Sequence, residues 1–359
     1  MSRYRTIPIA AVSLIVILTS CVDAPDHQRW GTKSDSLQPK PIATPILAVS
    51  PSETGEVRSD DLREAAVELL RQAMEQKDYP ELRLNALEAL QLAPEVFEPF
   101  VRQSLVDPNR AVRFAAAMSI GQLRMKHLAH LAEPLLHDPS QSVQAAAIYA
   151  LHRCGHQVDL TPLAVMILSN KPEIRGNAAM VLGDLGDRSA AEMIRRAVRR
   201  PMPRIPLARV KLVNLQMAEA LVKLGREEEM TVIRAALFAP NEQGEISALA
   251  CMICGRLKDG QVIPDLNNLA RGEDESKRPA EIRMAATWAL AKIRSGLAQT
   301  SVPMEYLENE LFQLRAQAAS TLGVMGDPAV LPKLGALLQD PHPLVQIAAA
   351  GAILRLDQY

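Results

Sequence analysis

The sequence predicts an all-α protein built as a solenoid of helical hairpins. Aromatic residues make up 3% of the 359 residues while hydrophobic residues reach 48%, so the apolar content is aliphatic and rich in alanine, as in closely packed helices. An alanine-rich helical segment also returns along the chain at nearly constant spacing. The formal net charge is −1, which gives no overall attraction to nucleic acid.

The first twenty residues have the pattern of a secretory signal. Arg3 and Arg5 precede an apolar run, residues 7–18, that is too short to span a bilayer comfortably. The run ends in Leu-Thr-Ser-Cys at residues 18–21, which resembles the lipobox of bacterial lipoproteins. That resemblance implies a lipidated Cys21 and a periplasm-facing chain in the cell envelope, with the outer membrane favoured because Val22, not Asp, follows the cysteine. An ordinary cleaved signal or a short membrane anchor is the alternative.

Residues 21–60 are predicted to hold the lipidated cysteine and a flexible tether. Five prolines are spread among Ser, Thr and Asp, a composition that cannot bury a core. As a flexible coil, this stretch would hold the folded part roughly 35 Å from the membrane. The folded part is expected to span residues 61–359.

An alanine-rich helix, named helix B, recurs nine times in this folded part. Successive starts are 30 to 39 residues apart and cluster near 31, which is typical of a solenoid whose hairpins bury their faces against their neighbours. A second helical pattern, helix A, precedes each copy, and an Asp-Pro turn such as Asp107-Pro108 can end one helix and cap the next. The starts are Leu82, Val112, Val143, Ile174, Val213, Ile246, Ile282, Leu314 and Val345.

This arrangement resembles the HEAT-like repeats first described around phycobilin lyases. An arginine follows the aliphatic start in five copies, and Asp107, six residues before Arg113, matches the Asp and Arg ladder of that family. Four copies depart from the ladder, with Gln144, Asn214, Ser247 and Gln346 at the arginine position. The resemblance implies an α-solenoid superhelix of about nine HEAT-like hairpins, with the B helices lining its inner surface.

The helical wheel separates a core side of helix B from an inner side. The eighth residue after the start is Leu or Ile in every copy except one, where it is Cys254, so this position is predicted to be buried. Cys251 and Cys154 fall in other core positions. The Cys-Met-Ile-Cys stretch is therefore interpreted as packing, not as a redox or zinc pair.

The inner side carries methionine and aromatic residues where polar ones are expected. Such a ridge is typical of a groove that binds a protein or peptide, because methionine adapts its shape to a partner. Tight curvature, which would press neighbouring B helices together and bury the ridge, is the alternative. The predicted groove residues are Phe114, Met118, Tyr149, Met180, Met252, Met284 and Trp288.

A basic segment, residues 195–211, lies in the longest interval between repeats and contains no acid. It is predicted to be a lengthened loop between helices A and B that could meet anionic lipid, an acidic protein or an envelope polymer, or could simply be solvated. Its arginines are Arg195, Arg196, Arg199, Arg200, Arg204 and Arg209.

The sequence favours a membrane-anchored envelope scaffold or adaptor without enzymatic activity or cofactor. We expect a protein or peptide in the concave face, contact with the membrane through the N-terminal lipid, and no nucleic acid. The alternative is a lyase-like or metal-dependent module that uses a histidine cluster in the third repeat. That cluster comprises His127, His130, His137, His152 and His156.

Overall fold

The computed structural model describes residues 39–42, 59–272, 278–294 and 296–358. The predicted signal sequence, Cys21 and most of the predicted tether lie outside these ranges. Within them the chain is all-α, as predicted, and contains no strand. None of the helices in these ranges combines the length and the apolar character that crossing a bilayer requires.

The described ranges contain nine hairpins, here called repeats 1 to 9, each formed by a helix A followed by a helix B. The B helices pack against one another in succession, and the A helices lie outside them. In chain order the helices are α1 (Ser59–Met74), α2 (Pro80–Leu90), α3 (Pro94–Ser104), α4 (Arg110–Leu123), a 3-10 helix (Lys126–His137), α5 (Gln141–Arg153), α6 (Thr161–Met166), α7 (Pro172–Leu185), α8 (Ala191–Arg199), α9 (Leu207–Lys223), α10 (Met230–Ala236), α11 (Gly244–Leu257), α12 (Ile263–Arg271), α13 (Ala280–Ile293), α14 (Ser301–Met304), α15 (Phe312–Met325), α16 (Leu331–Leu337) and α17 (Pro343–Leu356).

The predicted register of the B helices is confirmed. The eighth position is buried in all nine copies, because it lies on the core side of helix B. Its residues are Leu90, Ile120, Leu151, Leu182, Leu221, Cys254, Leu290, Leu322 and Ile353.

The Asp and Arg ladder joins successive repeats. The Arg83 guanidinium donates to the Asp107 carboxylate, with Nε 2.8 Å from Oδ2, and Arg113 donates in the same way to Asp138 at 2.7 Å. Arg113 also donates to the carbonyl oxygen of Asp107 at 2.8 Å. The Asp107 carboxylate therefore bonds to the arginine of the previous repeat, while its carbonyl bonds to the arginine of its own repeat.

Glycines bring alternate pairs of B helices into close contact. They stand at the ninth position of helix B in repeats 2, 4, 6 and 8. A Cβ at Gly183 would lie 2.9 Å from the Cα of Ala220 on the next B helix, and one at Gly323 would lie 2.6 Å from the Cα of Ala352. These distances are too short for any side chain, so the solenoid is built from close pairs of repeats.

The two ends of the solenoid meet and close it into a ring. Helix α17 packs against both α1 and α2. Arg63 on α1 pairs with Asp357 beyond α17 at 2.9 Å, and the Gln358 amide donates to the carbonyl oxygen of Leu92 at 3.0 Å. Residues of the first and last helices share one buried apolar cluster. We call this contact the seam.

A short piece of the predicted tether is docked at the seam. Ile42 is 4% exposed, and its N–H donates to Oε1 of Gln346 at 2.9 Å. Nε2 of Gln346 donates to the carbonyl oxygens of Ile42 at 3.2 Å and of Leu338 at 2.9 Å. The expectation of a free tether through residues 21–60 is therefore wrong for residues 39–42, because Gln346, at the ladder position of the last repeat, binds this segment.

Candidate functional site

The predicted groove residues do not form an exposed ridge. Phe114, Met118, Tyr149, Met252 and Met284 are buried. Met180 and Trp288 are half-buried. The prediction of an open groove is wrong because neighbouring B helices approach closely. A Cβ at Gly121 would lie 2.6 Å from the Tyr149 ring, and one at Gly255 would lie 3.0 Å from the Trp288 ring.

Two of the aromatic residues on the inner side lie beside cations. Nζ of Lys292 is 5.7 Å from the ring centroid of Trp288, and Cζ of Arg153 is 6.0 Å from that of Tyr149. Burial and then the positive charges of Arg355 and Lys258 together lower the pKa of Lys292 to about 8. The inner side therefore carries positive charge near the tenth position of helix B, where Arg153 and Lys292 stand.

A four-residue charge cluster joins the B helices of repeats 4, 5 and 6. Glu219 on α9 accepts two hydrogen bonds from Arg256 on α11, at 2.8 and 2.6 Å. Lys223 lies 3.1 Å from Glu219 and 2.8 Å from Asp184 on α7. Burial alone would raise the pKa of Glu219, but the positive charges of Arg256 and Lys223 outweigh it and lower the pKa to about 2.

The cluster borders a recess on the inner side of the ring. The recess measures about 360 Å³, including space open to solvent, and is lined also by Asn177, Met180 and Gln216. The Arg256 side chain is 7% exposed, and its Nη1 has no hydrogen-bond partner among the described residues. Two acids and two bases balance in charge, so the cluster holds three inner helices together.

Sequence reasoning missed this cluster although its signal was present. Glu219 stands at the sixth position of its B helix, where most other copies carry Met, an aromatic or a small residue, and Lys223 and Arg256 share the tenth position of successive copies. Charges of opposite sign at inner positions of neighbouring helices indicate an ion pair across the helix contact.

The basic segment is exposed, but less of it is loop than predicted. Residues 195–199 belong to α8 and residues 207–211 to α9, so the connection is residues 200–206. Arg196, Arg199, Arg200 and Arg204 are exposed, while Arg195 and Arg209 are half-buried. The predicted basic protrusion is therefore the end of one helix, a short connection and the start of the next.

A buried arginine, Arg175, donates hydrogen bonds to the backbone of the basic segment. Arg175, the ladder residue of repeat 4, donates to the carbonyl oxygens of Ser169, Ala197 and Arg200 at 2.8, 3.3 and 3.0 Å. Other ladder arginines pair with a carboxylate in the next repeat, whereas here the next turn supplies only carbonyl groups. Burial and then the charge of Arg200 lower the pKa of Arg175. No acid of the ladder neutralises this turn.

The sequence models of HEAT repeats match residues 67–152, 128–212 and 300–358 of this chain. The chain belongs to the HEAT-repeat family. Among solved structures, that of human deoxyhypusine hydroxylase in complex with glycerol is similar to this HEAT-repeat protein, with a TM-score of 0.37 and 18% sequence identity, over 76% of this chain and 99% of that chain. No curated protein matches it in sequence.

The cysteines of this HEAT-repeat protein that the structure describes are packing residues, as predicted. Cys154, Cys251 and Cys254 are free and buried. Burial raises the pKa of Cys251 well above its usual range and that of Cys254 to about 12. Thiols held in this protonated form are poor nucleophiles and poor metal ligands.

The histidine cluster of repeat 3 does not form a metal centre in the described part of this HEAT-repeat protein. No group of three His, Cys, Asp or Glu side chains in those ranges could hold a metal ion. Nε2 of His127 instead lies 2.8 Å from Oε2 of Glu98 in repeat 2, in an exposed pair. The antiparallel packing of the repeat does not bring the histidines of its two helices together around one point.

Proposed function

We propose that this HEAT-repeat protein is a lipid-anchored scaffold of the bacterial cell envelope that acts by binding another protein and not by catalysis. The observation that carries the proposal is the closed ring of repeats behind a lipobox-like sequence at residues 18–21. Because most of the predicted groove residues are buried, we place the partner on the outer wall or the rims of the ring. A cell-envelope address, facing the periplasm, follows from the proposed lipidation of Cys21, which lies outside the described residues.

The outer wall of repeats 4 to 6 is the surface that we propose for a protein partner. Three successive A helices each expose one valine there: Val165 on α6, Val198 on α8 and Val232 on α10. Neighbouring side chains on the same helices, such as Leu163 and Ile233, are buried. Exposed aliphatic side chains on adjacent helices suit a protein contact better than a solvated wall.

The address is tested by the substitution Cys21→Ser. Without the thiol that carries the lipid, the chain should leave the membrane fraction for the soluble one or accumulate as unprocessed precursor. Fractionation of cells, with the mass of the mature N-terminus, measures both outcomes. Processing and membrane attachment equal to those of the natural chain would remove the lipoprotein proposal.

The scaffold role is tested by the double substitution Val165→Glu with Val232→Glu. Charge on the outer wall should reduce retention of a partner that is crosslinked in the envelope by at least tenfold, while circular dichroism stays unchanged. The matched control is Val106→Glu, which places the same charge at an exposed valine in the turn before α4. Equal loss in the control, or no loss in the double variant, would count against this surface.

A further inference from the structure

The basic segment lies at one rim of the ring, which we call the turn rim. This rim consists of the turns that lead from each helix A to its helix B. Residues 200–206 form that turn in repeat 5, between α8 and α9. Arg199, Arg200 and Arg204 are exposed there and have no acidic partner among the described residues. The sequence holds no acid from residue 193 to residue 218.

The tether leaves the ring at this same rim. Gln346, which binds Ile42, stands in the first turn of α17, and the first turns of all B helices lie at the turn rim. Because Ile42 is pinned there, only residues 22–38 are left between the lipidation position and the docked segment. Seventeen residues reach at most about 60 Å in any conformation, so a membrane that holds Cys21 would stay close to the turn rim.

Exposed apolar side chains accompany the basic segment. Leu207, the first residue of α9, is 69% exposed, and Phe238 in the turn of repeat 6 is 56% exposed. The two turns are linked by Lys211, whose Nζ donates to Oε1 of Gln243 at 2.9 Å. Cations interleaved with apolar side chains are typical of surfaces that enter the headgroup region of a bilayer.

The acids of the turn rim limit how the ring can approach an anionic surface. Exposed acids of this rim include Asp78 at repeat 1, Glu242 and Glu245 at repeat 6, and Glu308 and Glu310 at repeat 8. An anionic membrane would repel these acids and attract the repeat-5 sector, where the sequence holds no acid from residue 193 to residue 218. The charge distribution therefore favours a tilted ring that touches the membrane through repeat 5 over a ring whose whole turn rim lies on the membrane.

We propose that the basic segment docks on anionic phospholipid headgroups and so gives the ring a second membrane contact on the rim from which its tether leaves. The choice of lipid over an acidic protein rests on the proposed lipid anchor, which keeps this rim near a bilayer. Arg199, Arg200 and Arg204 contact phosphate groups, and Leu207 enters the interface. The contact orients the outer wall of repeats 4 to 6 at a defined angle to the membrane.

The test places an environment-sensitive fluorophore on the basic segment of the full lipidated chain. Ala208→Cys, exposed beside Leu207, takes the label because the other described cysteines are buried. In vesicles of phosphatidylglycerol and phosphatidylcholine, emission should shift to the blue and be quenched by spin-labelled lipid, and 0.5 M salt should reverse both. Vesicles of phosphatidylcholine alone should show neither change. A label at Lys333→Cys, near the opposite rim, should keep the emission of a water-exposed fluorophore with both kinds of vesicle.

Charge reversal supplies the matched comparison. Arg199→Glu, Arg200→Glu and Arg204→Glu together should lower partition of the label into the anionic interface on the order of 100-fold. Lys126→Glu, Lys258→Glu and Lys333→Glu change the net charge equally at the opposite rim and should leave docking intact.

Each outcome decides between docking and its competitors. Label signals that are equal in the two vesicle types, or equal in the two reversal variants, overturn the proposal. A label that is shielded in native envelopes but not in anionic vesicles indicates a protein or polymer partner and also overturns it. Failure of the lipid anchor is seen separately, because a chain without lipid does not float with phosphatidylcholine vesicles at all.

Discussion

At the scale of single residues, one position of the repeat changes its partner with its surroundings. The residue after the aliphatic start is an arginine that binds a carboxylate in repeats 1, 2 and 8. In repeat 4 the same position is Arg175, which binds carbonyl groups, and in repeat 9 it is Gln346, which binds the backbone of Ile42. Since an amide both donates and accepts, Gln346 suits an extended backbone better than arginine would.

Glu219→Gln should destabilise the protein at neutral pH by about 3–5 kcal/mol. The substitution removes the charge that compensates Arg256 and Lys223, and the cost of a buried unpaired guanidinium is large. Urea unfolding at pH 7 measures the change. The control is Glu192→Gln, whose pair with Arg196 is exposed and should cost less than about 0.5 kcal/mol. Similar losses in both variants would mean that the cluster is solvated.

The same carboxylate makes stability depend on acid. The pKa of Glu219 is about 2 in the folded chain and near 4.5 when unfolded, so its contribution is complete above pH 4.5 and is lost as the pH falls toward 2. Wild-type stability should fall across this window by about 3 kcal/mol more than that of Glu219→Gln. Parallel acid titrations of the two proteins, followed by thermal unfolding, check this sign.

Residue patterns predict which side of a helix is buried, but not how closely its neighbours approach. Leu182 and Leu322 were predicted in the core because their column is aliphatic in the other copies, and both are buried. Met118 and Met252 stand in a column of mixed character whose exposure depends on the curvature of the whole ring. Periodicity within one helix carries no information on that curvature, so the open groove was predicted wrongly.

At the scale of helices, the closest contacts are set by glycine. Helices α15 and α17 approach until a Cβ at Gly323 would meet the backbone and Cβ of Ala352 at 2.6 and 2.7 Å. Helices α7 and α9, and α11 and α13, meet in the same way at Gly183 and Gly255. A glycine stands at the ninth position of helix B in every second repeat. An alignment of the nine repeats therefore predicts, from sequence alone, which B helices form close pairs.

Gly323→Ala should destabilise the protein by about 1–3 kcal/mol. In an isolated helix the substitution would stabilise by about 1 kcal/mol, so the expected sign is opposite to that of helix propensity and reports the overpacking of α15 against α17. Denaturant unfolding measures it. Gly260→Ala is the control, because the nearest atom to its added Cβ is 4.0 Å away. Stabilisation in Gly323→Ala would contradict the close approach.

At the scale of the whole molecule, closure changes how the repeats share stability. In an open solenoid each repeat contacts only its neighbours, and the terminal repeats fray independently. Here α17 also packs on α1 and α2, and the ion pair of Arg63 with Asp357 joins the first repeat to the last. The sequence predicted the number of repeats and their register, but closure depends on the small rotation between repeats summed around the ring, which no single repeat reveals.

The seam gives a prediction that only a closed ring satisfies. Gly351→Leu places a large side chain on α17, where even a Cβ would lie 3.2 Å from the Cβ of Ala89 on α2. The seam should open while the other helix contacts persist. Amide hydrogen exchange should then accelerate at least tenfold both in α17 and in α1 and α2, which are more than 250 residues away in sequence, and remain unchanged in α7 to α9.

Two further measurements separate opening of the seam from general loss of stability. Small-angle scattering should show a larger radius of gyration for Gly351→Leu, because an open chain of repeats spreads, whereas a locally strained ring keeps its size. Gly260→Leu, the same change in the short 3-10 helix of residues 260–262, should alter neither the radius nor exchange at the ends. Faster exchange in α17 alone, with α1 and α2 still protected, would mean that the ends fold independently and that the ring is not a single closed body.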